Sequence, residues 1–140
     1  MTPHLKKKKK GRRILLVDND KRTSYIISLI LKLNGYDVEY YPDPKSMLSQ
    51  LQGGVYDLVL LSLVSIETNY YIEIYNQIRN KDPQVKICFM IDDRSHKPYY
   101  YDNFVQSFKG DFKACDFVDK PVNTNEILEI VISHLEQQQK

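Results

Sequence analysis

The stretch that most constrains this chain is Tyr56–Leu63, which reads Tyr-Asp-Leu-Val-Leu-Leu-Ser-Leu and is approached through Gly53-Gly54. Five of these eight residues are aliphatic. An apolar run this short, bounded by turn residues, is the signature of a strand buried on both faces. Such strands form the middle of a parallel sheet with helices above and below it. In that architecture, chemistry sits beyond the carboxyl ends of the strands. Ser62, at the end of this run, is therefore the first candidate functional residue.

The flanking sequence supports the same layout. Ile14-Leu15-Leu16-Val17 reads as a first strand and is followed by Asp18-Asn19-Asp20. Ile26, Leu29, Ile30 and Leu33 recur at helical spacing up to Asn34-Gly35, where glycine suits a helix end. Tyr36–Tyr41 is a second strand. Asp43-Pro44 opens a helix, as cap and first-turn proline, that runs to about Leu51. A third helix covers roughly Asn69–Asn80, with Tyr71, Ile74, Tyr75 and Ile78 on one face, and Asp82-Pro83 ends it. Val85–Ile91 and Ala114–Val118 read as strands, with a helix expected near Tyr99–Phe108 between them. Asn123, with Glu126 three residues on, caps a final helix whose stripe is Ile127, Ile130, Val131 and Leu135. The expectation is an α/β fold: a doubly wound five-stranded parallel sheet with five helices, flavodoxin-like, strand order 2-1-3-4-5.

Composition narrows the function classes. At 140 residues the chain suits one domain, here 14–136, between a basic tail (1–13) and a frayed end (137–140). Lys6–Lys10, Arg12 and Arg13 carry seven of the 20 basic charges with no acid among them, leaving 13 basic against 18 acidic residues in the remainder. The tail reads as solvated. It has no interleaved aromatics, so nucleic acid is expected only as a non-specific partner of the tail. No apolar run reaches the length of a membrane span, and no apolar signal-peptide segment follows the tail; a cytoplasmic location is expected. Cys88 and Cys115 stand outside any C-x-x-C pair and read as buried thiols. No Gly-rich phosphate loop follows the first strand, which argues against a small-molecule enzyme of flavodoxin-like fold.

Three of these features together resemble a known family. Ile14–Asp20, Tyr56–Leu61 and Asp119-Lys120-Pro121 look like the opening, the third strand and the Lys-Pro signature of the receiver domain of response regulators in two-component signalling. The likeness extends over about Arg12 to Glu136. In that family an aspartate ending the third strand takes a phosphoryl group from a histidine kinase. Two acids after the first strand hold magnesium, a hydroxyl ends the fourth strand, and a lysine follows the fifth. A carboxylate serves as phosphoryl nucleophile, the cation and lysine neutralise the transferred group, and the hydroxyl receives one of its oxygens.

Carried over residue by residue, the pattern is partly kept. Asp18 matches the first acid, the second falls on neutral Asn19, and Asp20 lies next to it. The phosphoacceptor position falls on Ser62 and the hydroxyl position on Ile91. The aromatic switch position falls on Phe117. Lys120 and Pro121 are retained. The resemblance implies at most a weak magnesium site at Asp18 and Asp20, and no other cofactor. Asp18 has two structural alternatives, capping the first helix or pairing with Lys120. Asp57 cannot replace Ser62, because it starts the strand. The common partner and dimer face of the family is its fourth helix, fifth strand and fifth helix; here it would be formed by Tyr99, Tyr100, Tyr101, Phe104 and Phe108, aromatics of the kind favoured at interfaces. The expectation is therefore a non-enzymatic, stand-alone pseudo-receiver without an output domain. It would act by contact with a histidine kinase, another regulator or a second copy. The alternatives are an active receiver with an unusual acceptor and a nucleic-acid-associated module.

Overall fold

The computed structural model describes residues 12–63, 68–92, 114–120 and 123–136. The elements are β1 (Arg13–Val17), α1 (Lys21–Leu33), β2 (Asp37–Tyr41), α2 (Pro44–Gln50), β3 (Leu58–Leu63), α3 (Thr68–Lys81), β4 (Lys86–Asp92), β5 (Ala114–Lys120) and α4 (Thr124–Leu135). All strands are parallel, in the order β2-β1-β3-β4-β5. The helix expected near 99–108 lies outside the described residues.

β3 holds the centre because all six of its residues are buried. Alternation then divides the core into two layers. Leu15, Val17, Val59, Leu61, Ile87 and Phe89 pack against α2 and α3. Ile14, Leu16, Leu58, Leu60, Cys88 and Met90 pack against α1 and α4. Both sheet faces are covered, which is why these strands are continuously apolar.

Helix limits follow local chemistry. Asp43 caps α2 by accepting from the Ser46 amide at 2.7 Å, with Pro44 in the first turn. Asn123 caps α4 by accepting from the Glu126 amide at 2.7 Å. The first helix departs from expectation twice. Its cap is Asp20, whose Oδ1 accepts from the Arg22 and Thr23 amides, so Asp18 does not have that role. Its buried face is Ser24, Ile27 and Leu31; Ile26, Leu29 and Leu33 face solvent and Ile30 is half-buried. In α3, by contrast, the expected Tyr71, Ile74, Tyr75 and Ile78 are all buried.

The turn before β3 is fixed by Asp82. This carboxylate is buried and accepts from the Gly54, Gln84 and Val85 amides at 2.9–3.1 Å. A Cβ on Gly53 would collide with the Lys81 carbonyl, and Gly54 has φ +79°, so both glycines are required here. At the same end of the sheet the C-terminus of α4 is tied down. The Tyr36 hydroxyl donates to Glu136, Arg12 pairs with the same carboxylate at 3.7 Å, and Lys86 Nζ donates to the His134 carbonyl at 2.8 Å.

Candidate functional site

The site is assembled by register at the carboxyl ends of the strands. Val17 pairs with Leu61, so Asp18 emerges one step further on, next to Ser62. Ser62 pairs with Met90, Ile91 with Asp119, and Asp92 with Lys120. Asp18, Ser62, Ile91 and Lys120 are thus gathered at one end of four adjacent strands. Phe117 also lies in β5, in register with Phe89. Pro121 and the aromatics Tyr99, Tyr100, Tyr101, Phe104 and Phe108 lie outside the described residues.

Asp18 is 1% exposed. Its Oδ1 accepts from the Asp20 amide at 2.9 Å, closing the loop into the cap of α1. Its own amide donates to the Tyr41 carbonyl at 3.2 Å, and its carbonyl accepts from the Tyr40 hydroxyl at 2.7 Å. Ser24 Oγ stands 3.4 Å from that carbonyl and 2.8 Å from the carbonyl of Asp20. The edge strand β2 and the first turn of α1 together hold the acidic loop in place. Tyr40 and Ser24 were not foreseeable as supports, because an isolated tyrosine and serine carry no periodic or motif signal.

Ser62 is 2% exposed and sits one residue inside the strand end, with Leu63 beyond it. Leu61 and Leu63 belong to the α2/α3 layer, so alternation turns Ser62 toward the α1/α4 layer. A serine hydroxyl needs a base before it can act as a nucleophile. His134 is the one histidine among the described residues, and its carbonyl is bound by Lys86, at the start of β4 and so at the opposite end of the sheet.

Asp57 is placed at that opposite end as well. Its Oδ2 accepts from the Arg13 amide at 2.9 Å and its amide donates to the Arg13 carbonyl at 2.8 Å. Five residues of strand, about 16 Å, separate it from Ser62. Sliding the register to make Asp57 the acceptor is therefore ruled out.

A hard divalent cation needs several free oxygen ligands. Asp20 does not fit that need. Oδ1 caps two amides and Oδ2 accepts from the Thr23 hydroxyl at 2.7 Å. Binding a cation there would cost the cap of α1, typically about 1 kcal/mol. Asn19 is exposed and offers a neutral oxygen. Among the described side chains at this end of the sheet, Asp18 is the buried carboxylate.

A second polar network, missed in the sequence, lies at the amino end. Glu39 accepts from the Tyr56 hydroxyl at 2.9 Å and the Tyr41 hydroxyl at 3.2 Å, and Arg13 reaches it at 3.3 Å. Burial, and then the Glu39 carboxylate, push the Tyr56 hydroxyl up to about 12. These groups tie β1, β2 and the start of β3 together far from Asp18 and Ser62.

A five-stranded parallel sheet in the order 2-1-3-4-5, with an acid after β1 and the Lys120-Pro121 sequence at the end of β5, defines a flavodoxin-like receiver fold. Comparison with known proteins agrees. Residues 14–132 match the family described as "Response regulator receiver domain". The response regulator ArlR of Staphylococcus saprophyticus is 29% identical over 126 residues, which are 90% of this chain and 53% of that protein. The chain thus spans about half the length of this curated relative. Among solved structures, a CheY-like receiver domain protein from Methanospirillum hungatei is similar with TM-score 0.69 and 23% identity, over 91% of this chain and 96% of that one. Response regulator DrrB from Thermotoga maritima gives TM-score 0.70 and 22% identity, over 92% of this chain and 54% of that one. The two structures speak for the fold; the family match identifies the chain. It belongs to the response regulator receiver domain family, whose members serve two-component signalling.

Proposed function

We propose that this chain is a receiver domain that works through protein contacts and does not accept a phosphoryl group. The observation that carries the reading is Ser62. Ser62 is buried near the carboxyl end of β3, with no histidine beside it among the described residues, and we align it with the position where the family carries a carboxylate. Two further features support it. Asp20 is committed to capping α1, which sets it against joining Asp18 in a magnesium site. Ile91 offers no hydroxyl at the end of β4. The domain is then non-enzymatic and needs no cofactor. The tyrosine-rich sequence Tyr99–Phe108 supports contact with a signalling protein or a second copy.

The test is incubation with acetyl phosphate and magnesium, followed by intact-mass analysis. The expected spectrum shows the unmodified mass alone. A phosphoryl adduct would overturn the reading, and a Ser62→Ala control would then tell whether Ser62 or a neighbouring acid takes the group.

A further inference from the structure

Helix α4 ends on a residue that works against its own end. Its C-cap is Glu136, whose amide donates to the Ile132 carbonyl at 2.9 Å. The carboxyl end of a helix carries partial negative charge, so a carboxylate is disfavoured there and a glycine or a cation is the usual ending. Glu136 is therefore held by something outside the helix.

Two segments distant along the chain supply that hold. The Tyr36 hydroxyl donates to Glu136 Oε2, and Arg12 stands 3.7 Å from Oε1. Arg12 immediately precedes β1, and Tyr36, which is buried, immediately precedes β2. Burial first, and then the Glu136 carboxylate, push the Tyr36 hydroxyl well above its ordinary range, so at neutral pH Tyr36 is the donor and Glu136 the acceptor. Lys86, at the start of β4, binds the His134 carbonyl, one of the acceptors that the end of a helix leaves open. Leu135 is buried in the same core layer as Tyr36.

Both contacts of Glu136 depend on one charge. A carboxylate accepts strongly and attracts the guanidinium; a carboxylic acid loses that attraction and is the weaker acceptor. We infer that the last turn of α4 is an acid-operated latch: Glu136, closed as a carboxylate on Arg12 and Tyr36, frees the turn when it is protonated. Opening uncovers Leu135 and the Tyr36 ring, so the loss of one charge becomes apolar surface at the amino end of the sheet. The neighbouring charges do not reverse this sign. Arg12 and Lys86 bring positive charge to the corner, α1, which packs on α4, carries Lys32 in its last turn, and Asp37 is paired with Arg13 at 3.4 Å. Protonation of His134 would place a cation at the negative end of α4 and favour closure, so His134 is not the trigger. The latch lies at the opposite end of the sheet from Ser62 and does not depend on what that residue does.

The experiment is amide hydrogen exchange of the full chain, followed by NMR at neutral pH. Glu136→Gln keeps the shape of the side chain and removes its charge, and so stands for the protonated latch. It should lower the protection of the amides at positions 134–136 at least roughly tenfold, the size of one lost charge-assisted hydrogen bond, and leave those of Ile127 and Leu128 unchanged. Tyr36→Phe should give a similar local loss, and the two changes together little more than either alone. In the native chain the amide shifts of His134 and Leu135 should follow an acid titration that Glu136→Gln abolishes. Unchanged protection in Glu136→Gln would overturn the inference, as would a loss spread evenly along α4 and the sheet. So would an acid titration of those two amides that survives the substitution.

Discussion

Helices α3 and α1 look alike in sequence and behave differently in the fold. In α3, Tyr71, Ile74, Tyr75 and Ile78 recur at helical spacing and all four are buried. In α1, Ile26, Leu29 and Leu33 recur at the same spacing and face solvent, while Ser24, Ile27 and Leu31 face the sheet. α3 has one apolar stripe, so its period alone selects the buried face. α1 has two, and the period is then satisfied by either. A core-facing stripe is chosen by what the sheet can pack against, and here Ile27 and Leu31 meet Ile14, Leu16 and Leu60. The face left over, with Ile26, Leu29 and Leu33, stays exposed.

That difference should be measurable as stability. Ile78→Ala removes a side chain with no exposure and should cost about 2–5 kcal/mol in urea unfolding. Leu33→Ala, on the outer stripe, should stay within about 0.5 kcal/mol. Equal losses at the two positions would erase the distinction between the helices.

The ends of the same two helices sharpen the contrast. Asp82, just past α3, satisfies three amides from a buried position. Asp82→Ala leaves those donors without their acceptor and should cost about 1–3 kcal/mol. Asp20, before α1, is an exposed cap, and Asp20→Ala should cost about 1 kcal/mol by the same measurement. If Asp20→Ala proved the more costly, the acidic loop would have a structural role beyond capping.

A smaller effect is expected in alkali. Tyr56 lies in the same layer as α3, and burial and Glu39 raise its hydroxyl to about 12 from an ordinary 10.0. The folded state favours the protonated hydroxyl, so this contribution is complete below pH 10 and declines as pH rises from 10 toward 12. Unfolding midpoints of the native chain and of Tyr56→Phe should converge over that interval. Parallel curves would show that Tyr56 ionises alike in both states.

Much of the fold was legible because single residues settle it. The run Tyr56–Leu63 fixes the central strand, Asp43-Pro44 and Asn123 fix two helix starts, and Asp82-Pro83 fixes a helix end. The site was legible only as positions. Sequence order puts Asp18, Ser62, Ile91 and Lys120 at strand ends, and the ladder then brings those ends together. What the order could not supply was the division of labour between Asp18 and Asp20. Both stand before α1, and only the backbone path decides which carboxylate reaches the amides of its first turn. The hydroxyls of Tyr40 and Ser24 on the acidic loop, and Asp82 on Gly54, are contacts between segments distant along the chain and without motifs.

The most direct test of the central claim is an amide NMR spectrum of the full chain with magnesium, before and after acetyl phosphate. The expected result is that the amides of Asp18, Ser62 and Lys120 keep their positions. Movement of these three resonances, together with a phosphoryl adduct in the same sample, would contradict the claim and return the chain to the phosphoryl-accepting receivers.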